Sequence, residues 1–221
     1  MAPPLFFHLV TQRNSLDVEG WYPERMGMAL GVVFCGSRLK VFAETDLPEL
    51  MATLAGAERV VGWNLVGFDF VVLSGYPDFR VNTVNYLDLL LEVEAKTGRR
   101  VQLDSLVGAT LKTEPIPDGL SGVDLYKSGR IDRVVENCAN TVMAIKELHQ
   151  HGVQHGYVLC SPTEGGASLR IEVPEWQTVP QAVSSSVRSD RSSGTLNVYQ
   201  EGSLFYLRQK KNLPESDPGE V

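Results

Sequence analysis

The stretch that most constrains the fold is Arg59 to Tyr76, RVVGWNLVGFDFVVLSGY. Val60-Val61-Gly62 reads as a short buried strand. Trp63-Asn64 turns the chain, and an apolar run from about Gly67 to Ser74 continues as a helix. Asn64 is a turn or capping residue. Asp69 falls in the first turn of that helix, where the dipole favours a carboxylate.

The segments around it set the topology. Leu5 to Thr11 is a buried strand with Phe6, His8 and Val10 on one face and Phe7 and Leu9 on the other. Met26 to Cys35 and Leu39 to Phe42 form an antiparallel hairpin across Gly36-Ser37. Asp46 to Leu54 is a helix with Pro48 in its first turn. Leu89 to Thr97 is a helix ended by Gly98, and Leu103 to Leu111 is another. Ile131 to His149 carries the best apolar stripe: Ile131, Val134, Val135, Cys138, Val142, Ile145 and Leu148 recur at three- and four-residue steps. Tyr157 to Cys160 is a last short strand. A hairpin meander followed by alternating strands and helices predicts an α/β fold, a mixed sheet with helices on its faces. Residues 1–160 are the expected domain. Residues 161–221 are a polar extension, with a linker at 184–194 and a small hairpin at 195–208.

Composition narrows the class. Hydrophobic residues make up 43% and charged residues 21% of 221, the balance of a soluble globular protein. The three cysteines have no metal-type spacing and fit a reducing, cytoplasmic compartment. Neither a signal peptide nor a membrane span is expected. A net charge of −7 argues against avid, sequence-blind binding to nucleic acid, though not against a local basic groove.

One resemblance runs through most of this. Asn64, four intervening residues, Asp69 and an apolar run resemble the second motif of the DEDD (DnaQ-like) 3′-5′ exonucleases. The opening Phe7-His8-Leu9-Val10-Thr11-Gln12, then Glu19-Gly20-Trp21 and Met26-Gly27, match in order. So do Leu87-Asp88-Leu89-Leu90, Thr97-Gly98, Leu103-Asp104, Ala109-Thr110-Leu111 and Asn137-Cys138-Ala139-Asn140-Thr141-Val142. The similarity is closest to exonuclease domains that bacteria fuse to helicases or encode alone, and it implies a ribonuclease H-like fold.

The family's chemistry implies paired divalent ions held by four carboxylates. At the matching positions this chain has His8, Val10, Asp69 and Thr141, and Asn137 where a tyrosine or histidine would orient water. Four carboxylates carry about −4 against two Mg²⁺ ions, and Asp69 alone supplies about −1. The expectation is a catalytically inactive domain, with no cofactor, that binds an unidentified protein or a single-stranded nucleic acid. Asn64, Phe68, Asp69, Thr11, Gln12 and Trp21 are the candidate binding residues. The alternative is an exonuclease using Mg²⁺ or Mn²⁺ on a rebuilt site of His8 and Asp69, joined by Asn140 or Asp104. His8 is also expected to fill the vacated place beside Asp69.

Other groups have plainer readings. Asp88 and Asp104 read as strand-end and helix-cap residues. His149, His151 and His155 read as a solvated helix end beyond which Gly152 breaks the helix, or as a zinc or nickel site. Arg99-Arg100 and Lys210-Lys211 are surface pairs that could touch phosphate. Trp21 and Trp63 flank the old site, where they could stack on bases or simply pack.

Overall fold

The computed structural model describes residues 3–113, 121–161 and 168–177. Strand β1 (Leu5–Thr11) lies at the centre of a five-stranded sheet. On one side it pairs antiparallel with β2 (Met28–Cys35), which pairs antiparallel with the edge strand β3 (Arg38–Ala43). On the other side it runs parallel to β4 (Val60–Gly62), which runs parallel to β5 (Tyr86–Asp88). The expected hairpin is therefore present, and so is the mixed sheet of the ribonuclease H-like fold.

Helices cover both faces, because β1 is apolar on both. Phe7 and Leu9 enter a core with Leu50 and Leu54 of α1 (Leu47–Ala55) and Val72 and Leu73 of α2 (Phe70–Ser74). Phe6 and Val10 enter the other core, with α3 (Leu89–Thr97), α4 (Leu103–Leu111) and α6 (Ile131–His155). Val134, Cys138, Val142, Ile145 and Leu148 bury the predicted stripe of α6. Each such side chain contributes roughly 1.5–3 kcal/mol before entropy is subtracted. Ile131, at the start of the stripe, is exposed. A short helix not foreseen from the sequence, α5 (Gly122–Lys127), is capped by the Ser121 hydroxyl, which accepts from Asp124 N at 3.2 Å.

The C-terminal part of the fold departs from the sequence reading in two ways. Helix α6 does not stop at Gly152 but continues to His155, and left-handed Gly156 (φ 76°) ends it. Gly152 is there for space: a Cβ on it would lie 2.3 Å from the ring of Trp176. The folded unit also continues past residue 160. β6 (Tyr157–Cys160) pairs with β7 (Leu169–Glu172), and Val173 and Trp176 enter the α6 core. The linker at 184–194 and the hairpin at 195–208 lie outside the described residues. Among the described residues no helix is long and apolar enough to cross a membrane.

Candidate functional site

The site forms where β4 stops short. On the β4 side of β1, Leu5 N donates to Arg59 O at 2.9 Å. Strand alternation points Leu9 N the same way, four residues on. The β1–β4 pairing covers only Leu5 and Phe6, and β4 ends at Gly62. Asp69 takes the place of the missing strand, its Oδ1 accepting from Leu9 N at 2.9 Å. The sequence placed Asp69 in a first helical turn facing the dipole. Instead it closes a single π turn, Leu65–Asp69, just before α2, and its side chain goes to β1.

That π turn is shaped by Asn64 and Asp88. Asn64 adopts a left-handed conformation (φ 60°), which asparagine tolerates better than most residues. It starts the turn without a side-chain cap. The Asp88 carboxylate, at the end of β5, accepts from Asn64 N and Val66 N, both at 2.9 Å. It also caps α3 by accepting from Leu90 N at 3.1 Å. Burial raises the Asp88 carboxyl to about 6, against the pull of these N–H groups. The sequence suggested the cap on α3. The bonds to a turn more than twenty residues away had no local signal.

His8 stands beside Asp69, and α6 touches it through one residue. His8 Nδ1 lies 3.3 Å from Asp69 Oδ1, so the imidazole occupies the expected place. Val10 is on the same face and is buried. Helix α6 reaches this point through Cys138, whose Sγ donates to His8 O at 3.4 Å. Asn137 and Asn140, on the same helix, are buried. The Thr141 hydroxyl donates back to Asn137 O at 3.1 Å, within its own helix. Asp104 is in the first turn of α4, where burial raises its carboxyl. Among the described residues no group of three or more His, Cys, Asp and Glu side chains is placed to hold a metal ion.

An exposed ring stands against Phe68, the residue before Asp69. Trp21, exposed at 44%, lies with its ring centroid 5.9 Å from that of Phe68, next to Asp69. Tyr22 is exposed at 43%, and the Arg25 guanidinium sits 4.6 Å above its ring. Tyr22 and Arg25 escaped the sequence reading because nothing in their spacing sets them apart. Thr11 and Gln12 are turned to structural work. Thr11 Oγ1 donates to Arg13 O at 2.8 Å, and Gln12 Nε2 donates to Met28 O at 3.0 Å and to Glu44 at 2.7 Å. Trp63 packs against the α6 core, apart from Trp21.

Comparisons place this geometry among known folds. No family model matches the chain, and no curated protein matches it. Among solved structures it is similar to the family B DNA polymerase of the hyperthermophilic archaeon Pyrobaculum calidifontis. The TM-score is 0.51 at 16% identity, over 69% of this chain and 25% of the polymerase. The chain thus spans about a quarter of that protein's length. It is also similar to E. coli ExoI in a zinc-bound complex with single-stranded DNA. There the TM-score is 0.41 at 11% identity, over 70% of this chain and 41% of ExoI. At 16% identity the likeness to the polymerase is one of fold.

Proposed function

We propose that this chain is a catalytically inactive DEDD-type exonuclease-like domain that acts as a cytoplasmic binding module. One observation carries the reading. Asp69, the surviving acid, spends Oδ1 on the Leu9 backbone N–H, and His8 stands against the same oxygen. Buried Val10 and back-bonded Thr141 offer nothing to complete an acid quartet. Magnesium demands several hard oxygen ligands in near-octahedral array, and this donor set does not fit a pair of such ions.

Exposed Trp21, packed on Phe68 beside Asp69, and its exposed neighbour Tyr22 support a single-stranded nucleic acid as partner, since exposed rings stack on bases of any sequence. The net charge of −7 supports a protein partner instead. One experiment tests both layers. The protein is melted with and without Mn²⁺ while a labelled single strand is incubated with it and followed by fluorescence anisotropy and gel. The expected result is an unshifted melt and a strand of unchanged length. A Mn²⁺-dependent rise in melting temperature with shortening from the 3′ end would replace this reading with the rebuilt exonuclease of His8 and Asp69. If the intact strand binds, Trp21→Ala should weaken it by about tenfold, the loss of one stacking platform. If it does not, the partner is a protein.

A further inference from the structure

The three histidines near the end of α6 part company in the structure. His149 is buried in the core, edge-on to Phe6 and stacked on Trp176. His151 and His155 lie one helical turn apart on one face, their ring centroids 4.3 Å apart. The turn at Gly156 folds Tyr157 back against them, with its ring centroid 5.5 Å from that of His151 in an edge-on contact. This contact holds His151 half-buried while His155 remains exposed. Nε2 of His151 is buried and lacks a hydrogen-bond partner.

From this arrangement we propose that His151 and His155 form a chelate site for one divalent transition ion of the Cu²⁺, Ni²⁺ or Zn²⁺ class. Imidazole nitrogens are the natural donors to these ions, and i, i+4 spacing on a helix presents two of them to one point. A coordinating ion would satisfy the orphaned Nε2, whose burial otherwise costs free energy. His155, being exposed, is able to turn its ring to meet it. The site is at the C-terminal end of a 25-residue helix, where the dipole favours positive charge. The nearby Arg170 guanidinium, 3.6 Å above the Tyr157 ring, is offset by Glu172 at 2.7 Å. The remaining coordination positions fall to water.

The test is calorimetric titration of the full chain with CuCl₂, NiCl₂ and ZnCl₂ separately, beside His155→Ala, His151→Ala and His8→Ala. The expected result is one ion per chain, with Cu²⁺ tightest in line with the general order of divalent affinities. Either His155→Ala or His151→Ala should weaken binding by about tenfold or more, and His8→Ala should leave it unchanged. Circular dichroism confirms that the variants stay folded, and exposed His155 is the safer of the two. Absence of saturable binding would overturn the proposal. So would binding that survives His155→Ala, or that is lost in His8→Ala. Because the titration uses neither Mn²⁺ nor a nucleic-acid strand, its failure is separable from failure of the binding-module reading.

Discussion

Two carboxylates, Asp69 and Asp88, are almost fully shut off from solvent, yet they do different work. Asp88 accepts from Asn64 N, Val66 N and Leu90 N, and so ties the left-handed turn to the start of α3. Asp69 accepts from Leu9 N and has His8 3.3 Å away. Asp88 is a fastener, and its environment is made of backbone. Asp69 replaces a missing strand partner, and its environment includes a side chain that the fold does not demand. A buried acid at a family site position is not thereby a ligand. What matters is whether its oxygens are already committed and what surrounds them.

The largest expected effect separates the pair by stability. Asp88→Ala strands three backbone N–H groups and should cost about 3 kcal/mol, since each buried unsatisfied donor costs about 1 kcal/mol or more. Asp69→Ala strands Leu9 N and should cost about 1–2 kcal/mol. Urea unfolding of the two variants measures the gap. Equal losses would mean that Asp69 is as much a fastener as Asp88, and the contrast would fail.

How far the sequence foretold this contrast depends on the range of the forces involved. Strand alternation and the α6 stripe are local patterns, so β1, α3, α4 and β6 fall where the sequence put them. The cap of α3 by Asp88 is local too. The Asp88 bonds to Asn64 and Val66 are not, and neither is the Leu9–Asp69 bond across 60 positions. Gly152 misled because a glycine in a helix reads as a break. Its reason for being there is the Trp176 ring, 24 residues away in sequence, which no periodicity announces. At the site, the pairing of His8 with Asp69 was legible because both sit at positions the resemblance marked. The Trp21–Phe68 contact was not, because it joins residues 47 positions apart; the Tyr22–Arg25 pair spans one local turn that no pattern in the sequence marked.

The second prediction uses pH to sharpen the comparison. Burial raises the Asp88 carboxyl to about 6 in the fold, above its ordinary 3.8. A raised carboxyl binds its proton more tightly folded than unfolded. Its favourable contribution is full below about pH 4 and is lost as pH rises through about 6. The parent protein should therefore lose stability relative to Asp88→Asn over that window, by an amount on the order of 2 kcal/mol. Denaturation midpoints of the two proteins from pH 4 to pH 7 give the difference directly, with all other titrations cancelling. A flat difference would show that the backbone N–H groups, not burial, control this carboxylate.

The smallest effect probes the Asp69 side. His8→Asp restores one acid beside Asp69 and replaces the imidazole with a like charge. Without metal the two carboxylates repel, and the variant should melt lower, at a cost of about 1 kcal/mol. Mn²⁺ bridging the pair should return most of that loss, by preferential binding to the folded state. The parent should gain nothing from the same ion, because its Asp69 oxygen is held by Leu9 N and flanked by His8. Melts in chelator and in Mn²⁺ therefore read out what His8 does. Recovery only in the variant would mean that the site can still take a cation once the imidazole is gone. No recovery would mean that the backbone around Leu9 and Asp69 has closed on itself, and that restoring carboxylates alone cannot rebuild the centre.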